Sequence, residues 1–281
     1  MSSADEAYCA DSVRRLDPDR YLLAMLAPEN TRAALFSIYA FNTEIARIRE
    51  SVSEALLGHI RLQWWRDALD KLYAGEGLEH AVVRPLGDAI KRHGLSRTYF
   101  DCLIEARSSD LDDTPPESVA LLETYARDTS APLVKLALET LDIRDPAALT
   151  AADHAGTAWA LSGLLRAMPR ALGSGWQYLP AALCEKHGFV LKNLAEPADR
   201  QELVSLVREL SGYIDREIDA ARALRDDIPG SAVTALLPVS YSDYCQRQLR
   251  KAGYDPFDLR VVSSPPMIAW RLFFRAKLGR Y

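Results

Sequence analysis

Along nearly the whole chain apolar residues recur at intervals of three and four, the spacing that gathers them on one face of an α-helix. Residues 33–49 carry Leu35, Ile38, Tyr39, Phe41, Ile45 and Ile48 in such a stripe. Residues 52–73 follow, with Leu56, Ile60, Trp64 and Leu72 on the expected apolar face. Trp64 and Trp65 point about 100° apart on a helix, so one is expected in the core and the other at its boundary. Further helices are predicted at 78–93, 96–109, 116–141, 145–172, 180–187, 200–226, 242–251 and 266–278. Ser96 and Asp145-Pro146 are start signals, and Gly94, Gly188 and Gly279 are stop signals. No alternating β-branched run is bounded by a hairpin turn, so strands are not expected. The breaks (112–116, 173–175, 228–230 and 263–266) are too short for interdomain linkers. The pattern predicts one all-α domain over residues 1–281, built from about ten helices.

Composition narrows the function. The chain has 281 residues, 48% hydrophobic and 26% charged, which is ordinary for a globular protein and wrong for disorder or collagen. Its 34 Lys and Arg against 39 Asp and Glu leave a net charge of −5. With no basic stripe to neutralise phosphates, nucleic acid is not an expected partner. Four scattered cysteines without a C-x-x-C pair read as reduced thiols, and Cys184-x-x-His187 is only half of a tetrahedral metal site. Met1 to Leu26 carries Asp5, Glu6 and Asp11 before the first arginine, Arg14, which fits neither a signal peptide nor a mitochondrial presequence. No apolar run reaches 18 residues, so no transmembrane segment is expected. These features predict a cytoplasmic location.

Neither a Walker P-loop, a dinucleotide-binding glycine fingerprint nor a nucleophile elbow occurs. Gly173-Ser174-Gly175 is too short to cradle a phosphate and reads as a plain loop. Two helical segments stand out. One is Tyr39 to Glu50. The other is the run from Ala155, where Gly156, Ala158, Ala160, Ser162 and Gly163 would let either another helix or a ligand tail come close.

These segments carry a resemblance. Tyr39-Ala40-Phe41, Leu62-Gln63-Trp64-Trp65-Arg66-Asp67-Ala68-Leu69, Asp110-Leu111, Gly156-x-Ala158, Leu165-Arg166 and Gly175-x-x-Tyr178-Leu179-Pro180 stand in the order found in squalene/phytoene synthases. The chain resembles that family over residues 20–260. The resemblance implies an isoprenoid-synthase-type helical bundle with a central cavity, in which two prenyl diphosphates are condensed head to head. In active members one helix carries D-D-x-x-D after Y-A-F and a second carries D-x-x-x-D after L-R. Acids four apart share a helix face, and the facing edges hold magnesium ions on the diphosphate.

On an ungapped match, the first motif falls on Ala46, Arg47 and Glu50. The second falls on Ala167 and Ala171, with Arg170 where many members carry a further acid. Arginines would repel a cation where the family attracts one. The resemblance therefore implies no metal and no catalytic residue here, magnesium being a cofactor only if condensation survives. Asp110, Asp112 and Asp113 could substitute as ligands but read more simply as a solvated helix end. Arg47 could pair with Glu44 or Glu50 along its helix. Alternatively Arg47, Arg166 and Arg170 could build a metal-free anion pocket. Tyr39, Asn42, Arg47, Arg166, Arg170 and Tyr178 are the candidate cavity residues.

A divergent branch of the family is more similar still. Ala40-Phe41-Asn42-x-Glu44-Ile45-Ala46, Ser51-Val52-Ser53-Glu54, Ile60-Arg61-Leu62-Gln63-Trp64-Trp65, Lys91-Arg92-His93 and Ala269-Trp270-Arg271 resemble the mitochondrial assembly factor for respiratory complex I that shares this fold. That resemblance implies a non-catalytic pseudoenzyme whose partners are complex I subunits or another assembly protein, placed at the inner membrane. The alternatives are an active prenyltransferase and a carrier of an isoprenoid or lipid ligand. Phe273, Phe274, Arg271, Arg275 and Lys277 form a candidate amphipathic end for peripheral membrane contact, set against docking of the last helix on the core.

Overall fold

The computed structural model describes residues 4–112, 114–173, 178–191, 200–263 and 267–281. Asp113, Ser174 and Gly175, singled out above, lie outside them, as do residues 264–266 of the last predicted break. Among the described residues the chain forms fourteen α-helices and no strand.

Helices α1 (Ala4–Leu16) and α2 (Pro18–Leu26) open the chain. Periodicity misses α1 because it buries only Cys9, Ser12 and Val13 and is otherwise highly charged. Asp17 starts α2, its side chain accepting the Arg20 N–H while Pro18 takes the first turn. In α3 (Glu29–Ala46) twelve of 18 residues are buried, so this helix is enclosed rather than one-faced.

After the short α4 (Ile48–Ser51), α5 (Ala55–Tyr73) corrects the sequence expectation. Gly58, Leu62, Trp65 and Leu69 face the core, whereas Leu56, Ile60 and Trp64 face solvent. The reason is a close approach: a Cβ on Gly58 would lie 2.4 Å from Leu111, so only the glycine face fits. The two tryptophans do divide as their spacing predicts. Trp65 is buried edge-on against Phe41 at 5.1 Å, and Trp64 is exposed.

Helices α6 (Val83–His93), α7 (Arg97–Ser108), α8 (Val119–Thr140) and α9 (Pro146–Gly173) match the predicted runs closely. Gly94 closes α6 at φ 58, a left-handed conformation that glycine adopts without a Cβ penalty. Asp145 caps α9 by accepting the Ala148 N–H at 2.9 Å. Ser96 precedes α7 as expected but caps it differently. Its N–H and hydroxyl both donate to Glu139, a buried carboxylate at the end of α8.

Helix α9 lies at the centre, packed on α8, α11 (Gln201–Ala223) and α12 (Val233–Lys251). A Cβ on Gly156 would lie 2.3 Å from the Cα and N of Ala131 in α8, so at this position the small residue serves helix packing, not a ligand tail. Helix α12 begins well before the predicted residue 242. It carries Pro238 inside, a residue whose missing N–H and ring normally signal a helix break. Helices α10 (Ala181–His187), α13 (Leu259–Val262) and α14 (Ile268–Lys277) complete the set. The final residue, Tyr281, is buried, its hydroxyl donating to the Ala221 carbonyl at 3.3 Å.

Candidate functional site

The C-terminal end of α3 and the last turns of α9 meet at one cavity of about 580 Å³. Ala46 closes α3, and the turn into α4 brings Arg49 and Glu50. Arg170 comes from the end of α9. Arg107 and Asp110 come from α7 and the 3₁₀ turn Ser109–Leu111 behind it.

Three arginines and two carboxylates thus line the wall, and the carboxylates are already engaged. Asp110 accepts from Arg107 at 3.0 Å and from the Tyr125 hydroxyl at 2.6 Å, and Arg107 also donates to Tyr125 at 3.0 Å. Burial pushes the Tyr125 hydroxyl above its ordinary pKa, and Asp110 adds to it against the opposing pull of Arg107. Burial disfavours the Arg107 charge, but Tyr125 and Asp110 outweigh it and hold the guanidinium protonated. At the mouth Arg170 meets Glu50 at 3.4 Å, both largely exposed.

Magnesium on a diphosphate needs free carboxylate oxygens arranged around the ion. Here the two carboxylates are committed to guanidinium partners or a phenol. Among the described residues no three His, Cys, Asp or Glu side chains are placed to hold a metal. The donor set does not fit that ion. It fits an anion better, since guanidinium groups can grip phosphate or carboxylate oxygens.

Of the six candidate cavity residues Arg170 lines this cavity, as do the motif positions Ala46 and Glu50 and the acid Asp110. Arg47 is corrected. As the C-cap of α3 it faces outward into a separate groove with Glu44, Arg61, Trp64 and His80, and it pairs with neither Glu44 nor Glu50. Arg166 is corrected too. It reaches Asp19 and the Tyr241 hydroxyl, each at 2.7 Å, and pins α9 to α2 and α12. Burial opposes its charge, but Cys245, Tyr241 and Asp19 keep its pKa above the ordinary value. Tyr39 is buried beneath Arg20, whose guanidinium lies 5.9 Å from the ring, and burial pushes its hydroxyl up to about 12. Asn42 is buried in α3, and its Oδ1 has no hydrogen-bond partner among the described residues.

Tyr178 lines a second cavity of about 450 Å³ with Leu121, Leu122, Pro116 and Tyr125, and its hydroxyl donates to the Leu164 carbonyl. Asp110 borders both cavities. Ala167 is half-buried and Ala171 buried, and neither offers an oxygen ligand. His187 bonds to Glu209 at 2.8 Å rather than to Cys184. Sequence reasoning missed Arg49, Arg107 and Tyr125. The i, i+3 spacing of Arg107 and Asp110 was a usable signal, but Tyr125 reaches them from another helix.

This geometry can be set beside known proteins. The sequence profile described as squalene/phytoene synthase matches residues 13–268. The chain belongs to this family. It shares its fold with a dehydrosqualene synthase crystallised with a ligand, at a TM-score of 0.82 and 19% identity over 98% of this chain and 95% of that one. It is 29% identical over its full length to a Bos taurus relative, covering 84% of it, named NADH dehydrogenase (ubiquinone) complex I, assembly factor 6. It is 25% identical to the presqualene diphosphate synthase of Rhodopseudomonas palustris, over 60% of each chain. Within the family, similarity to the assembly factor extends along the whole chain, while similarity to the presqualene enzyme covers 170 residues. Among the described residues no helix is long and apolar enough to cross a membrane.

Proposed function

We propose that this member of the squalene/phytoene synthase family is non-catalytic and acts in the assembly of respiratory complex I, working from the cytoplasm at the inner face of the membrane as one domain. The observation that carries the reading is the cavity between α4 and α9, where Arg49, Arg107 and Arg170 stand around two already-paired carboxylates. An ionising diphosphate needs positive metal ions held by acids, and this wall cannot supply that arrangement. The full-length similarity to a complex I assembly factor supports the same reading. Its partners are then complex I subunits or a further assembly protein.

The test is deletion of the gene, followed by NADH:quinone oxidoreductase activity and the amount of assembled complex in membranes. Loss of both, restored by the intact gene and by an Arg170→Gln variant, is the expected result. Normal complex I in the deletion strain would remove the assembly role.

A second reading is favoured by the other cavity. Leu121, Leu122, Pro116 and Tyr178 give it an apolar side suited to an isoprenoid or lipid tail, while Glu105, Asp110, Asp112 and Asp128 line the rest. Mass spectrometry of gently purified protein tests it, a stoichiometric lipid supporting the carrier reading and an empty protein removing it.

A further inference from the structure

Helix α14 docks on α12 and α2 through Ile268 and Leu272, yet leaves a large aromatic face uncovered. Trp270 is 60% exposed, Phe274 56% and Leu278 67%, with Phe273 beside them. Positions 270, 273, 274 and 278 lie on one stripe of the helix. The rings form one cluster, with Trp270 stacked on Phe274 at 6.4 Å and Phe273 edge-on to Phe274 at 5.8 Å.

The charge on this helix is one-signed. Arg271, Arg275 and Lys277 lie on α14, which holds no acid. Many arginines elsewhere in the chain are tied to carboxylates, but among the described residues these three cations have no ion-pair partner. Arg271 lies over the Tyr244 ring at 5.0 Å and Lys277 over Phe273 at 5.7 Å. The one acid in the groove between α12 and α14, Asp243, is already held by Arg222 at 2.6 Å and Arg247 at 2.7 Å. Burial lowers the Arg275 pKa, and the neighbouring Arg222 adds to the effect against the opposing pull of Asp243.

We infer that the exposed face of α14 is a docking surface for an anionic phospholipid bilayer, with Trp270, Phe273, Phe274 and Leu278 entering the headgroup boundary and Arg271, Arg275 and Lys277 meeting lipid phosphates. Charge complementarity selects this occupant. An uncharged apolar partner gains nothing from three unpaired cations, and a zwitterionic surface gives them no net attraction. Because the whole chain carries −5, an anionic surface repels most of the molecule and attracts this helix, which sets the orientation of docking. The inference gives a surface to the peripheral placement in the proposed function. Its test is independent of complex I, so either can fail without the other.

The experiment is co-sedimentation of the full chain with vesicles of phosphatidylglycerol and phosphatidylcholine in equal parts, against phosphatidylcholine alone. Binding to the anionic vesicles only, reduced by about 0.5 M salt, is expected. A Trp270→Ser, Phe274→Ser double variant and an Arg271→Gln, Lys277→Gln double variant are each expected to lower the partition at least about tenfold. Circular dichroism checks that both remain folded, as these side chains point to solvent. Inorganic phosphate at millimolar concentration should not compete, because the rings must also be buried; competition would show a soluble-anion site and overturn the bilayer. Equal binding to neutral vesicles, no binding to anionic ones, or variants that bind like the parent would also overturn it. So would self-association lost in the aromatic variant, which would make the face a protein interface.

Discussion

Arg107 and Asp110 form a buried ion pair at 3.0 Å in the wall between the two cavities, and the Tyr125 hydroxyl closes it by bonding to both. The side chains of the pair are only 16% and 8% exposed. In such surroundings removing one partner strands a charge, whereas removing both together is far less costly. Arg107→Leu is therefore expected to lower unfolding free energy by about 3–5 kcal/mol. Tyr125→Phe, which loses hydrogen bonds to charged groups, should lose about 1.5–3 kcal/mol. Urea denaturation of both variants checks this, and a parent-like midpoint for Arg107→Leu would show that water reaches the pair.

Gly156 and Gly163, the two glycines in the interior of α9, should respond oppositely to alanine. At Gly156 the new methyl would meet the Ala131 backbone at 2.3 Å, and backbone in the middle of α8 cannot step aside cheaply. Overpacking of this kind costs about 1–3 kcal/mol. At Gly163 nothing lies within 4 Å, so only helix propensity changes. That substitution should gain about 0.5–1 kcal/mol. Thermal melts of the two single variants distinguish close helix packing from room left for a ligand. Tolerance of alanine at both positions would argue against the packing account.

A pH dependence follows from His154, whose Nδ1 lies 2.7 Å from the Glu217 carboxylate. The hydrogen bond to Glu217 raises its pKa above the ordinary 6.5, against a smaller opposing effect of burial. A raised value in the folded state means that the folded protein holds the proton more tightly than the unfolded chain. The pair's stabilisation is thus complete below pH 6.5 and fades as pH rises through the folded value. With both groups partly exposed, the effect should be modest, below about 1 kcal/mol. His154→Gln should remove that part of the decline in melting temperature above neutrality, and an unchanged pH profile would show that the pair contributes nothing.

How far the sequence carried the fold depended on how local each signal was. The caps at Asp145 and Gly94 and the periodicity of α7 to α9 are decided within a turn or two, and they stand where expected. Helix α1 hid because its buried face is narrow, and the start of α12 hid because Pro238 reads as a break. The outward face of α5 could not be read at all, since it is set by Leu111 filling the space over Gly58. The cavity residues were harder. Arg47 and Arg170 look equivalent in a linear match, but the end of α3 turns Arg47 outward. Arg166 finds Asp19, 147 positions away, and becomes a structural tie. What the sequence did expose was local chemistry, because an arginine at 170 and alanines at 46, 167 and 171 are visible without any coordinates.

The charge of the cavity wall has a direct thermodynamic consequence. Where acids face one another across a site, magnesium and diphosphate bind interdependently, because each neutralises charge that would repel the other. Around Arg49, Arg107 and Arg170 the neutralising charge is already provided by the chain. Calorimetric titration with pyrophosphate or farnesyl diphosphate should therefore give either no heat or binding that is unaffected by magnesium. Magnesium alone should give none. If an anion does bind, Arg170→Gln should weaken it, because each charge-assisted contact is worth about 1.5–3 kcal/mol. The same substitution should leave stability within about 0.5 kcal/mol, since its exposed pair with Glu50 contributes little. Magnesium-dependent tightening of the diphosphate, with release of pyrophosphate from the prenyl substrate, would instead restore the condensation chemistry. Asp110 and Glu50 would then have to exchange their arginine partners for metal when substrate enters.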